Sequence, residues 1–230
     1  KSPHIDFEST KCDLIGAELE EFDYIILNQK ILSCVKELLG ENAVYFMDSS
    51  VQYGKGFSGY HKDRDVSKAN INHSDWESNY DVVRMGMYFQ DTKKYSGGLS
   101  VKNKSHNHIN LVKGKAINLP LETGDIVFWK LTTTHSGNAS RLKFFPNLAL
   151  PGRVQRMLPD WSFIPEEKKR LAIFCTFGRE GNHLSNFIEY CNLGDKTSQH
   201  FRNSNFTKRS YKISAESKIK LINPLGSQSI

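Results

Sequence analysis

Hydrophobic and polar positions change their period once along this chain, and that change marks out its layout. From Leu19 to Leu39 the apolar residues Leu19, Phe22, Ile25, Ile26, Ile31, Val35, Leu38 and Leu39 recur mostly three or four apart. That is the spacing of one helix face, and Gly40 stands where a C-terminal glycine cap belongs. Residues 1–17 read as an irregular lead-in. From 43 to 150 the period falls to two, broken by Gly97-Gly98, Lys113-Gly114 and Thr123-Gly124-Asp125, all turn chemistry. The strands so predicted are Ala43–Met47, Gln52–Tyr60, Val82–Phe89, Leu99–Val101, Lys115–Leu119, Ile126–Leu131 and Phe144–Leu148. Many short strands with regular punctuation mean an antiparallel sandwich or barrel.

Two stretches interrupt this pattern. Residues 64–81, rich in Asp, Asn and Ser, form a polar insertion. Residues 151–169 carry Pro151, Pro159 and Pro165, which argues against any continuous element and leaves room for one short helix. Arg170 then opens an apolar run to Phe177 that reads as a buried strand, and 181–192 reads as a helix presenting Leu184, Phe187, Ile188 and Cys191. The tail from 195 is polar and basic, expected to be packed peripheral structure or partly disordered. The expected layout is a single domain over 1–230: a helical region over 1–42, a β core over 43–180, and a C-terminal helix with a basic tail over 181–230.

Composition narrows the class. At 230 residues and 26.3 kDa, with 38% hydrophobic and 11% aromatic residues, the chain can fill one core. Its net charge of +6 and pI of about 9.0 come from cations spread along the sequence. They form no stripe interleaved with aromatics, so no nucleic-acid partner is expected. A mild positive field suits an anionic substrate or co-substrate, and a merely solvated basic surface explains it as well. The four cysteines, Cys12, Cys34, Cys175 and Cys191, form no C-x-x-C pair or zinc spacing. Such sparse usage fits a reduced compartment, and the expected location is cytoplasmic. Asn-x-Ser/Thr triplets at Asn72, Asn103, Asn138 and Asn205 arise readily by chance. No apolar run approaches a membrane span, and the start at Lys1 rather than Met suggests an upstream segment was trimmed.

The candidate chemistry lies in Gly59-Tyr60-His61-Lys62-Asp63 and in Thr134-His135-Ser136-Gly137-Asn138. Two imidazoles and a carboxylate are the minimal ligand set of a mononuclear ferrous site, leaving positions open for a co-substrate and O₂. Alternate strand side chains share a face, so His61 and Asp63 can converge on one ion, with His135 supplied by a distant strand. Asp65 offers a second carboxylate, four residues from His61, where strand twist would separate them. His106-x-His108 invites a cupin reading, but Ile109 to Ile117 holds no Glu, so the pair reads as turn or rim. Trp129 reads as core; His73, Trp76 and Tyr80 are either substrate contacts or part of a solvated loop.

Taken in order, His61-x-Asp63, Gly97-Gly98-Leu99-x-Val101, Lys104-Ser105-His106, Gly124-Asp125-Ile126-Val127-Phe128-Trp129, His135-Ser136-Gly137-Asn138-x-Ser140 and Arg170 resemble the phytanoyl-CoA dioxygenase-like family over roughly residues 43–180. The resemblance implies a mainly β fold with flanking helices, a double-stranded β-helix or distorted jelly roll. It implies an Fe(II)- and 2-oxoglutarate-dependent dioxygenase, an oxidoreductase with His61, Asp63 and His135 as iron ligands and catalytic centre. It further implies O₂ and a small-molecule substrate, and hydroxylation or a related oxidation rather than halogenation, because halogenating relatives lack the carboxylate that Asp63 supplies. The far carboxylate of 2-oxoglutarate wants a bidentate guanidinium, with Arg170 or Arg141 the candidates and Ser136 or Ser140 supplementing it. Arg170 is preferred because an apolar strand follows it, which makes 142–169 an insertion. The rival readings are a non-catalytic β-sandwich that binds a ligand, and a metal-dependent hydrolase or isomerase that needs no 2-oxoglutarate.

Overall fold

A computed structural model of the chain describes residues 7–12, 20–54, 59–64, 74–166, 170–192 and 205–223. Among them the strands are β1 (Phe7–Cys12), β2 (Ala43–Gly54), β3 (Val82–Tyr88), β4 (Gly98–Asn103), β5 (Lys115–Asn118), β6 (Ile126–Lys130), β7 (His135–Ala139), β8 (Leu171–Arg179) and β9 (Lys220–Ile222). The helices are α1 (Asp23–Ile26), α2 (Gln29–Leu39), α3 (Gly152–Gln155), α4 (Asn182–Asn192) and α5 (Lys208–Ser217). One sheet has the strand order β1-β2-β8-β3-β6, with β9 beside β2; the other has the order β5-β4-β7. Strands remote in sequence are neighbours, and from β2 to β8 the chain passes repeatedly between the two sheets. This is the winding of a double-stranded β-helix, so the fold is mainly β with flanking helices.

The described residues cluster into two compact units. The first comprises Lys1–Thr10, Gln52–Ser78 and Gly86–Ile173, and the second Lys11–Val51, Asn79–Met85 and Phe174–Ile230. In the second unit the periodic stretch over 19–39 is not one helix but two, broken at Leu27-Asn28. The Asn28 side chain accepts the Lys30 backbone N–H at 3.0 Å and so starts α2 afresh. Gly40 ends it at φ +85°, a conformation open to glycine, donating its N–H to the Lys36 carbonyl at 2.7 Å. Ile31, Leu32, Val35 and Leu39 form the buried stripe of α2. Edge-to-face pairs Tyr45–Phe177 and Phe46–Phe187, at 5.5 and 5.6 Å, hold the strands and α4 of this unit together. Of the basic tail, the described residues 205–223 form packed peripheral structure, one of the two expected outcomes. Thr207 caps α5, and β9 adds to β2 in parallel, Val44 facing Lys220 and Phe46 facing Ile222.

The first unit holds the three-stranded sheet and the excursion between β7 and β8. In it β4 pairs antiparallel with both β5 and β7, placing Val101 opposite Ile117 on one side and His135 on the other. The excursion begins as a short stem, with Ile164 N–H bonded to the Arg141 carbonyl and Lys143 N–H to the Ser162 carbonyl. Phe144–Leu148 is not a strand. Pro146 cannot join a ladder, Phe144 and Phe145 are 78% and 63% exposed, and the Asn118 amide holds the turn through the Pro146 and Leu148 carbonyls. The strand reading of 52–60 is also revised: 52–54 continue β2 without a break, and 55–58 lie outside the described residues. The lead-in contains β1, and 151–169 carries α3 and a 3₁₀ turn over Asp160–Ser162.

Candidate metal centre

His61 and His135 are brought together by backbone first. They form an isolated antiparallel bridge in which each N–H donates to the other's carbonyl at 2.9 Å. The two rings then lie 4.3 Å apart, centroid to centroid. Each ring is held by a carbonyl two residues upstream: His61 Nδ1 meets Gly59 O, and His135 Nδ1 meets Thr133 O, both at 3.0 Å. A carbonyl only accepts, so Nδ1 carries the proton and the lone pair is left on Nε2. Both Nε2 atoms face one carboxylate oxygen, Asp63 Oδ1, at 3.9 Å from His61 and 3.6 Å from His135. The other oxygen, Oδ2, accepts the Trp129 indole N–H at 3.2 Å. All three donor atoms lie within 4.8 Å of one another, and among the described residues this is the group of His, Cys, Asp and Glu that could hold a metal ion. Two imidazoles and one carboxylate, each oriented by a second partner, form a donor set that fits a divalent transition metal. The His61 side chain is 34% exposed and that of His135 only 6%, so the group is open on one side.

Lys62, between the two ligand-type residues, points to the other face of the chain. Its ammonium donates to the Ser105 and Thr132 carbonyls and lies 5.6 Å from the Trp76 ring. Burial, with Lys102 adding to it, lowers this group to about 8. Its bonds tie the segment around His61 to the loops after β4 and β6.

The remaining candidates fall into distinct places. Arg170, 3% exposed, donates from Nε to Gly97 O at 3.0 Å and from Nη1 to Gly54 O at 3.4 Å, while its Nη2 is buried without a partner. Its guanidinium carbon lies 5.9 Å from the Tyr88 ring centroid. Burial pushes the Tyr88 hydroxyl well above the ordinary phenol value, with Arg170 opposing and Asp63 reinforcing the shift. Tyr88 therefore stands where both the guanidinium and the carboxylate are felt. Arg141 is committed elsewhere, its Nε to Pro146 O at 3.0 Å and its Nη2 to Asn147 Oδ1 at 3.3 Å, with Nη1 buried and unpartnered. Ser136 follows His135 on β7, so its side chain emerges on the opposite face of the strand; Ser140 contributes its carbonyl to the Asn118 amide. His106 and His108 lie in the turns after β4, outside the metal-capable group. Trp76 and Tyr80 are buried rather than solvated, and Asp65 and His73 lie outside the described residues.

Sequence reasoning passed over Trp129 as core and did not single out Tyr88 or Gln90. The indole is buried, but its N–H is the partner of Asp63. Its signal was the two-residue period of β6, which turns Phe128 and Trp129 to opposite faces.

The chain matches no protein-family model and no curated protein. Solved structures do match. EvdMO1 superposes with a TM-score of 0.49 at 16% identity, over 75% of this chain and 35% of its own. The non-heme alpha ketoglutarate dependent epimerase SnoN from nogalamycin biosynthesis gives 0.49 at 12% identity, over 74% of this chain and 60% of its own. HygX from Streptomyces hygroscopicus, with nickel and 2-oxoglutarate bound, gives 0.43 at 14% identity, over 75% and 70%. The chain thus spans about a third of the first and three fifths of the second. No described helix is long and apolar enough to cross a membrane.

Proposed function

We propose that this chain is an Fe(II)- and 2-oxoglutarate-dependent oxygenase acting on a C–H bond of a small molecule, as its resemblance to the phytanoyl-CoA dioxygenase-like family suggests. The observation that carries the reading is the convergence of His61 Nε2, His135 Nε2 and Asp63 Oδ1 on one volume, each donor already oriented. In this reading the three residues hold the iron. Iron and 2-oxoglutarate bound there would supply oxidation of a substrate C–H bond by O₂, one oxygen atom ending in succinate with loss of CO₂ and the other in the product.

The protein's own contributions are positional. The upstream carbonyls of Gly59 and Thr133 fix which imidazole nitrogens are free to ligate. Trp129 fixes which Asp63 oxygen faces them. Arg170 is the anchor for the far carboxylate of 2-oxoglutarate, since its Nη2 is buried and uncommitted while its other nitrogens are braced on Gly97 and Gly54. The Tyr88 ring flanks that guanidinium and keeps water from one side of it. An anionic co-substrate also accords with the net charge of +6.

Anaerobic titration of the Fe(II)-loaded protein with 2-oxoglutarate tests the reading. A weak visible charge-transfer band is expected, followed on admitting air by succinate in amounts tied to O₂ consumed, and both are expected to vanish in His135→Ala. Metal binding with neither band nor succinate would overturn it in favour of a metal-dependent hydrolase or isomerase.

A further inference from the structure

Beside Arg170 the structure leaves a second buried donor with nothing to bond. Gln90 is 4% exposed; its Oε1 accepts the Leu171 N–H at 3.3 Å, and its Nε2 is buried without a hydrogen-bond partner. The backbone bond fixes the amide's orientation, because only the carbonyl oxygen can accept from Leu171, which leaves the NH₂ as the uncommitted end. Leu171 is held from both sides by this strand end, its carbonyl accepting the Phe89 N–H at 3.1 Å and its N–H meeting Gln90. Gln90 therefore lies within one residue of Arg170. It follows two residues after Tyr88, whose ring is the one the Arg170 guanidinium lies over. The strand ends at Tyr88, and past it Phe89 is exposed while Tyr88 and Gln90 are both buried, so these two side chains turn inward at the strand end where Arg170 lies.

An unsatisfied donor in an apolar interior costs free energy, and two at neighbouring positions are unusual in a folded protein. One guanidinium nitrogen and one amide nitrogen, both uncommitted, are matched by a group with two acceptor oxygens and a negative charge. We propose that Gln90 is the second donor to the far carboxylate of 2-oxoglutarate, one oxygen taken by Arg170 Nη2 and the other by Gln90 Nε2. Gln90 thereby selects a keto acid with a carboxylate at its distal end. This assignment rests on the oxygenase reading above.

Mn(II)-loaded protein, titrated calorimetrically with 2-oxoglutarate and separately with 2-oxobutyrate, decides it, because 2-oxobutyrate keeps the chelating end and lacks the far carboxylate. Gln90→Glu retains an oxygen for Leu171 but sets a negative charge against the ligand, and Gln90→Met is similar in size with no donor. Both variants are expected to bind 2-oxoglutarate at least about tenfold more weakly, the size of one lost charge-assisted hydrogen bond, and 2-oxobutyrate unchanged. Melting curves of the apo variants identify which of them is folded, and one folded variant suffices. Unaltered 2-oxoglutarate affinity, or an equal loss for both keto acids, would overturn the assignment and leave Gln90 a structural residue. Failure of the unmodified protein to bind either keto acid would instead remove the oxygenase reading, and this assignment with it.

Discussion

Each imidazole of the candidate metal centre is oriented by a carbonyl two residues upstream, and the carboxylate by a side chain distant in sequence. Asp63 Oδ2 accepts the Trp129 indole N–H at 3.2 Å, and removing that N–H takes away a bond that orients the carboxylate. Trp129→Phe keeps most of the buried ring, so the apo fold should survive while metal affinity falls by about 10–100-fold, as for other outer partners of ligands. Mn(II) titration followed by electron paramagnetic resonance measures it, and an unchanged affinity would mean that Asp63 is held by something else. The two arginines separate in the same manner. Arg170→Gln should weaken 2-oxoglutarate binding at least about tenfold, because a charge-assisted bond disappears from a buried site. Arg141→Gln should leave that affinity alone and loosen the turn at Pro146–Asn147 that its side chain braces, which hydrogen exchange over 141–148 would show. The convergence of His61, Asp63 and His135 was legible in the sequence, because few residue types can serve as metal ligands and the two-residue spacing of His61 and Asp63 puts them side by side. Trp129, Tyr88 and Gln90 were not, because what each one bonds is decided by register between strands far apart in the chain, which leaves no local mark.

Among the elements, those whose period and termini agree came through best. α2 ends at Gly40 and β3 runs as the alternation predicts, but the break at Asn28 hides inside a continuous apolar stripe and shows only as an Asx cap. Phe144–Leu148 mimics a strand in its hydrophobicity, and only Pro146 and the exposure of both phenylalanines distinguish a turn. β9 was illegible for the opposite reason, since a strand of three residues in a basic tail forms only because β2 offers it an edge. The Gly97-Gly98 pair was read as a turn, and its second member turns out to be a packing constraint. A Cβ on Gly98 would lie 2.7 Å from Thr92 Cγ2 and 2.9 Å from its Cβ. Thr92 cannot yield easily: it is fully buried, and its hydroxyl bonds the Leu119 and Leu121 carbonyls and accepts the Leu121 N–H at 2.7 Å. Gly98→Ala is therefore expected to cost roughly 1–3 kcal/mol in urea unfolding, the range for an overpacked core. The double variant Gly98→Ala with Thr92→Ser, which removes the clashing methyl and keeps the hydroxyl, should recover a large part of the loss. No recovery would locate the strain elsewhere.

For the molecule as a whole, the candidate metal centre also brings together parts of the chain distant in sequence. Asp63 and His61 come from one segment and His135 from the start of β7; the paired backbone bonds of His61 and His135, the Arg64 N–H to the Leu131 carbonyl and the bond from Lys62 to the Thr132 carbonyl are among the ties that join these segments without an ion. The unfolded chain has no such cluster, so a bound metal stabilises the folded form alone, by mass action. At a free metal concentration of 100 times Kd this amounts to about 2.7 kcal/mol, or a rise of roughly 5–10 °C in Tm for a chain of this size. The rise should grow with metal concentration without reaching a ceiling set by the fold. His135→Ala should abolish it, because two donors remain where three are needed to hold the ion. Hydrogen exchange adds a local readout: protection should increase over 59–64 and 131–139, where the ion would close the bridge between His61 and His135. Differential scanning fluorimetry with Fe(II) under argon, and with Mn(II), Co(II) and Ni(II), makes the comparison. A Tm indifferent to all four metals would mean that the three side chains are packed together for the fold alone.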